Sequence, residues 1–229
     1  MSRPRKSYTL WILGHVLRAL CGLAIFAMCA FLVWRVAFSQ KPPKDMRYLA
    51  DNEILSAAYE ANGGELTVLT QDQIPYTQAA DKNYAYYNLD HCVFLKEADQ
   101  VQLVLFYNDS TLERLQQELG LATCPPRGEE VFSVVLTQYV DVTPDGGETQ
   151  TEPREFTPTA TQYGTNSMYT FVRYTFDGVD LEDVETVVIF LDIFYADEAE
   201  SRGTLRLYHR ESLSEERTLN NKERKEIEG

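Results

Sequence analysis

Residues 19–34 read ALCGLAIFAMCAFLVW, an uninterrupted apolar run between Arg18 and Arg35. A helix rises about 1.5 Å per residue, so a bilayer core of about 30 Å needs roughly 20 mostly apolar residues. Extending the run to residues 11–38 meets that length, because the two arginines can carry their charges to the interfaces. The stretch therefore predicts a membrane-spanning helix over residues 11–38, which makes the lipid bilayer a partner of the chain.

The charges around this helix predict its orientation. Arg3, Arg5 and Lys6 lie in a basic tail, residues 1–10, and no acidic residue precedes Asp45. Basic residues beside a first span tend to remain cytoplasmic. We expect a single-pass signal anchor in the cell membrane, with the N-terminus cytoplasmic and the C-terminal domain extracytoplasmic. A cleaved signal peptide is the alternative, but the run is longer than a usual signal core and lacks a clear small-x-small site.

The rest of the chain is strongly acidic. Of 21 Lys and Arg, 7 lie within residues 1–44, so 14 remain against all 35 Asp and Glu, a net charge of −21 after residue 44. Nucleic acid phosphates repel such a surface, so nucleic acid is excluded as a partner. Basic partners and divalent cations are attracted, although solubility alone also accounts for an acidic surface.

After residue 64 the hydrophobic pattern has period two, which is typical of strands with one buried face. Strands are predicted over residues 66–69, 84–95, 101–107, 131–142, 167–176, 186–195 and 205–209. A capping-box spacing at Ser110–Glu113 and leucines at helical spacing up to Gly120 predict one brief helix that packs on a sheet edge. Residues 143–165, rich in Thr, Pro and Gly, are expected to form a long exposed loop, with or without a poor edge strand.

These elements predict a mainly β protein: a transmembrane helix, then an antiparallel, jelly-roll-like β-sandwich with one or two short helices. Five segments are expected, namely a cytoplasmic tail (1–10), the transmembrane helix (11–38), a linker with a membrane-proximal helix over 46–61 (39–64), the extracytoplasmic domain (65–210) and a charged tail, disordered or a solvated helix (211–229).

No motif for an enzyme occurs in the sequence. The nucleophile elbow, the P-loop, H-E-x-x-H and G-x-G-x-x-G are all absent. His91 adjoins Cys92, but adjacent strand residues point to opposite faces, so Asp90 and Cys92 are expected to share a face that excludes His91. We therefore expect a protein without enzymatic activity.

An acidic loop is the candidate metal site. Asp177, Asp180 and Asp183 lie in a loop between two predicted strands. Calcium prefers several carboxylate or carbonyl oxygens from a flexible loop, although the spacing is not that of an EF-hand. A turn that uses Asp and Gly for their backbone freedom is the alternative. No cofactor is expected, with Ca²⁺ at this loop as the alternative.

Three tyrosines, Tyr84, Tyr86 and Tyr87, are the candidate binding residues, because clustered aromatic rings can form a platform for a sugar or a protein. Chance clustering among 14 tyrosines is the alternative. Cys92 and Cys124, the two cysteines outside the span, are either a disulfide or two reduced thiols.

The function expected from these features is binding. An anchored, acidic β-sandwich is expected to bind a partner protein, a wall polymer or a glycan. A structural or regulatory subunit of a membrane complex is the first alternative, because small residues in the span allow close helix approach. These residues are Gly14, Ala19, Gly22, Ala27 and Ala30. An enzyme is the second alternative, which no motif favours.

Overall fold

The structure, a computed structural model of the 229-residue chain, describes residues 6–39, 41–70, 88–128, 131–143, 148–181, 188–195, 203–208 and 215–228. They belong to two compact units, Met1–Lys41 and Pro42–Gly229.

The first unit is a single helix, α1, Lys6–Ser39. Its stretch Trp11–Arg35 is 25 residues long and apolar enough to cross a membrane, and none of that stretch is buried. At about 1.5 Å per residue it is about 37 Å long. The helix predicted over residues 11–38 is therefore present.

The second unit contains three further helices and ten strands among the described residues. The helices are α2 (Glu53–Ala61), α3 (Asp109–Leu119) and α4 (Asn221–Ile227). The strands are β1 (Thr67–Thr70), β2 (Asn88–Leu95), β3 (Gln100–Asn108), β4 (Phe132–Val142), β5 (Gln150–Phe156), β6 (Ala160–Thr165), β7 (Tyr169–Asp177), β8 (Val188–Tyr195), β9 (Gly203–Tyr208) and β10 (Glu215–Thr218). Short 3-10 turns cover Lys44–Met46 and Lys96–Ala98.

The strands form two antiparallel sheets. The six-stranded sheet has the order β10-β1-β2-β3-β7-β6, and the four-stranded sheet has the order β5-β4-β8-β9. Every described pairing is antiparallel. The predicted mainly antiparallel β class is confirmed. Residues 96–99 form the turn between the paired strands β2 and β3, where Asp99 has φ +44°. The jelly-roll-like sandwich stays a prediction.

One hydrophobic cluster joins side chains of both sheets. On β3 the odd-numbered residues, from Val101 to Tyr107, contribute to it. Phe132, Val134 and Leu136 of β4 belong to the same cluster. We call the face of the six-stranded sheet that bears this cluster the inner face. α3 adds Leu112 and Leu115, so the predicted brief helix does pack on the β core.

The opposite, outer face of the six-stranded sheet is covered by segments from both ends of the unit. Leu55 of α2 and Ile227 of α4 pack with Val68, Val93 and their neighbours in a second cluster. Met46 packs on Val104 and Phe171 in a third cluster. Both faces of this sheet are therefore buried over β2, β3 and β7.

The segment predicted as a linker, residues 39–64, differs from the structure. From Pro42 onward it belongs to the second unit. The helix begins at Glu53 rather than near residue 46, because the side chain of Asn52 accepts a hydrogen bond from Leu55 N at 2.8 Å and caps it there. Its predicted end is confirmed by Gly63 and Gly64, both with positive φ.

The tail predicted over 211–229 as disordered or a solvated helix also differs. β10 pairs with β1, and α4 begins with a capping box between Asn220 and Glu223. Leu219 and Ile227 are buried. Two apolar residues are enough to dock this short segment, since strand pairing and the cap satisfy its backbone.

Residues 143–165 contain two strands, so a long loop was the wrong prediction for most of them. β5 and β6 are edge strands, one in each sheet. Nearly all β5 side chains are exposed, and an edge strand tolerates Pro153 because one side of it needs no ladder bond. A polar composition therefore concealed strands that bury little.

Candidate functional site

The predicted tyrosine platform lies outside the described residues, because Tyr84, Tyr86 and Tyr87 fall within residues 71–87. Binding at these tyrosines stays a prediction.

Hydrogen bonds engage the first part of the predicted calcium loop. Asp177 accepts from Gln100 Nε2 at 2.6 Å and from the hydroxyl of Thr159. The backbone carbonyl of Asp180 accepts from Gln138, while Asp183 lies outside the described residues. Within the described ranges, no group of three or more His, Cys, Asp or Glu side chains is placed to hold a metal. The calcium site stays a prediction.

Cys92 and Cys124 are both free thiols in the structure. Cys92 is buried in the cluster between the sheets, where desolvation raises the pKa of its thiol far above the ordinary value. Cys124 is exposed, in the segment after α3. Cys92 is therefore a neutral core residue, and the accessible thiol of the second unit's described residues is Cys124.

A bulge changes the expected geometry around His91. The pairing of β2 with β3 shifts between Leu89 and His91, so Asp90 is the extra residue. Asp90 Oδ2 then lies 2.6 Å from His91 Nδ1. The expectation that Asp90 would share a face with Cys92 and not with His91 is wrong, since a bulge interrupts strand alternation.

The cap of α3 also differs from the predicted one. Asn108 Oδ1 accepts from Thr111 N at 3.1 Å and from Ser110 Oγ at 2.6 Å. The helix therefore begins at Asp109, and its cap is Asn108, two residues before the predicted cap at Ser110.

A row of buried polar side chains crosses the outer face of the six-stranded sheet, and the sequence interpretation missed it. Gln100, Gln102 and Arg173 are 0%, 3% and 2% exposed. They occupy even-numbered positions of β3 and the matching positions of β7, where Gln102 pairs with Thr175 and Val104 with Arg173. Buried polar groups need hydrogen-bond partners, so something must cover them.

The cover is the segment of residues 42–52, which we call the strap. Gln102 binds both polar groups of one strap residue: its Oε1 accepts from Ala50 N at 2.7 Å and its Nε2 donates to Ala50 O at 2.9 Å. Gln102 also donates to Gln100 at 2.6 Å, and Gln100 donates to Asn52 Oδ1 at 3.2 Å. The amides thus form a continuous chain from the sheet to the strap.

Arg173 is the second contact between the sheet and the strap. It donates to Tyr48 O at 2.8 Å and to Gln162 Oε1 at 3.0 Å. Desolvation lowers the pKa of Arg173, while the negative charges of Glu226 and Asp45 act in the opposite direction. β7, the strap and α4 therefore meet at one buried cation.

A close approach of the strap to β6 depends on a glycine. A Cβ on Gly164 would lie 2.3 Å from Met46 Sδ and 3.0 Å from Pro43 Cγ. Met46 itself is fully buried. Any larger residue at position 164 must therefore displace the buried side chain of Met46.

The chemistry of this polar row is that of holding a peptide segment. It presents the amides of Gln100 and Gln102, the guanidinium of Arg173 and the carboxylate of Asp177, groups that bind the polar atoms of a peptide. The only indication of this row in the sequence was that Gln100 and Gln102 alternate with apolar residues. The same alternation is typical of a strand with one face exposed to solvent. That the strap covers this side could not be inferred from the alternation.

Comparison with known proteins gives no relative from which a function could be transferred, since no protein-family model, curated protein or solved structure matches this chain.

Proposed function

We propose that the chain is a single-pass protein of the cell membrane whose N-terminus is cytoplasmic. Its acidic second unit lies outside and binds a partner protein, a wall polymer or a glycan. The two sheets of that unit face each other as a sandwich, which leaves the connecting loops free for recognition.

The observation that carries this proposal is α1. Its stretch Trp11–Arg35 is predominantly apolar, unburied and long enough to cross a bilayer. A long, mostly apolar helix that no other part of the chain covers is stable where an apolar medium surrounds it. Arg3, Arg5 and Lys6, at the N-terminal end of this helix, favour a cytoplasmic N-terminus.

The sandwich is supported by contacts between the sheets. Tyr174 of β7 donates a hydrogen bond to Phe132 O of β4 at 3.1 Å. The ring of Tyr107 on β3 packs edge-on against Phe132, with centroids 5.4 Å apart. Both contacts join the inner face of the six-stranded sheet to β4.

Labelling of Cys124 tests the orientation. A maleimide that cannot cross membranes is added to intact cells and, in parallel, to lysed cells. We expect Cys124 to be labelled in both samples, because it is exposed whereas Cys92 is buried. The variant C124S is the control for labelling elsewhere. Labelling of Cys124 only after lysis would show that the second unit is cytoplasmic.

A retention assay tests binding. The full chain in detergent is offered to membrane proteins, to insoluble wall polymer and to immobilised glycans. We expect one of the three to retain it, and the variant Y84A/Y86A/Y87A to bind at least about 10-fold more weakly, as loss of aromatic contacts predicts. Tyr139→Ala, an exposed tyrosine on β4, is the matched control. Absence of retention in all three would contradict the proposal.

A subunit of a membrane complex is the second candidate function. His15, Arg18 and Gly22 recur at spacings that place them on one face of α1. Ionisable residues within a span commonly face a partner or an interface. Replacing residues 11–35 by an unrelated apolar helix separates the candidates: retained function favours the outer domain, and lost function favours the complex.

A further inference from the structure

The strap is attached to the six-stranded sheet through side chains and takes part in no strand pairing. Gln102 binds the N–H and C=O of Ala50, and Arg173 binds the carbonyl of Tyr48. A strand in a sheet is instead bonded through its own backbone along its whole length. The strap can therefore detach from the six-stranded sheet without breaking any backbone hydrogen bond between strands.

The closed arrangement contains a desolvated charge. Arg173 is 2% exposed, and its Nε has no hydrogen-bond partner among the described residues. Glu226 Oε2 is likewise buried without a partner in that part of the chain. Water can satisfy both groups when the strap is away, so the closed form carries a penalty that an open form lacks.

The apolar contacts of the strap come from few residues. Met46 packs with Val104 and Phe171, and Leu49 belongs to the cluster that contains Leu55 of α2 and Ile227 of α4. α4 also touches the strap from above, with Lys222 Nζ 5.5 Å from the ring centre of Tyr48. These contacts favour closure, and the buried charge opposes it.

We propose that the strap is a releasable tether. The second unit exists in a closed form, with residues 42–52 on the outer face, and in an open form in which these residues lengthen the connection to α1. The biological meaning of this change rests on the proposed membrane anchoring, whereas the change itself does not.

The two forms differ in free chain length. Two residues, 40 and 41, lie between Ser39 and Pro42 in the closed form, and thirteen, 40–52, precede α2 in the open form. At about 3.5 Å per residue the reach of the connection increases from about 7 Å to about 45 Å. Release of the strap therefore sets how far from its anchor the second unit can meet a partner.

Hydrogen exchange on the full chain in detergent tests the proposal. In the unaltered protein we expect residues 48–52 to exchange faster than β3 and β7, through local opening. The variant Q102L removes both bonds to Ala50 and should accelerate exchange of residues 48–52 at least about 10-fold while β3 changes little. Q138L is the matched control, because Gln138 is equally buried but lies on β4 and binds Asp180 O.

Cleavage by trypsin after Arg47, which is exposed in the strap, is the second measurement. We expect Gly164→Ala to accelerate this cleavage several-fold, because its Cβ displaces Met46. Thr161→Ala, an exposed position on the same strand, should leave it unchanged.

Either of two results would overturn the releasable tether. One is exchange of residues 48–52 only together with β3 and β7, since the strap would then open only on global unfolding. The other is an equal effect of Q102L and Q138L on those residues. Neither result bears on membrane anchoring, which the labelling of Cys124 tests separately.

Discussion

On β3, the odd-numbered side chains face a large apolar cluster and the even-numbered ones face the strap. Val101, Leu103 and Leu105 meet β4 and α3. Gln100 and Gln102 bind one another and the strap. Burial of apolar area stabilises the contacts of the inner face, and this effect does not depend on direction. Much of the outer face is instead stabilised by hydrogen bonds, each of which needs a donor and an acceptor in a defined geometry. A single strand thus supports both a permanent core and a contact that can open.

Removing a large side chain from the inner face should have the largest effect. Leu103→Ala leaves a cavity in a fully buried site and should lower the free energy of unfolding by about 3 kcal/mol, measured by urea denaturation. Leu49→Ala makes the same change in the strap and should cost less, because the strap can yield locally. Equal losses would mean that the strap is as firmly part of the core as β3.

Arg173→Met should have the next largest effect. It leaves Tyr48 O and Gln162 Oε1 without their donor and should lower the free energy of unfolding by about 2 kcal/mol. Arg127→Met, which breaks an exposed ion pair with Asp109, should cost well under about 1 kcal/mol. If Arg173→Met left the free energy of unfolding unchanged, the apolar part of the Arg173 side chain alone would account for its contribution to stability.

Loss of the α3 cap should be a smaller effect. α3 covers part of the inner face, and Asn108→Ala removes the acceptor for Thr111 N, at a cost of about 1 kcal/mol in thermal or urea unfolding. Ser110→Ala is the control and should be near neutral, because Ser110 only donates to Asn108. A larger loss of stability for Ser110→Ala than for Asn108→Ala would place the cap at Ser110, as the sequence spacing predicts.

The smallest expected effect is a pH dependence at the outer face. Burial raises the pKa of Glu226, with Glu223 and Asp45 acting in the same direction and Arg173 in the opposite one. A carboxyl whose pKa is raised in the folded state stabilises it when protonated, and that stability is lost as pH rises through the raised value.

Glu226→Gln should flatten this decline in urea midpoints as the pH rises above 4.5, the ordinary pKa of a glutamate. Glu228→Gln, an exposed acid nearby, is the control, and an identical profile for both variants would assign the decline to other groups.

Alternation in the sequence was enough to predict the inner face. Val101, Leu103 and Leu105 recur with period two, and the same pattern predicted β4 and β7. Burial of one face follows directly from spacing. The apolar composition of residues 19–34 was likewise enough to predict the helix α1.

The contacts of the outer face could not be predicted, because each joins two residues that lie far apart in the sequence. Gln102 and Ala50 are 52 positions apart, and Arg173 and Tyr48 are 125 apart. No local pattern links them. The bulge at Asp90 and the proline in β5 were missed for a similar reason, since pairing with neighbouring strands determines both.

The pairing of β10 with β1 affects biosynthesis. β1 begins at Thr67 and its partner along one edge is Glu215–Thr218, almost 150 residues later. During synthesis the early strands emerge with that edge unfilled and with Leu66 and Val68 uncovered by the last helix. Completion of the sheet must therefore wait until residues 215–218 have been synthesised, and the unpaired edge of β1 is open to aggregation in that interval.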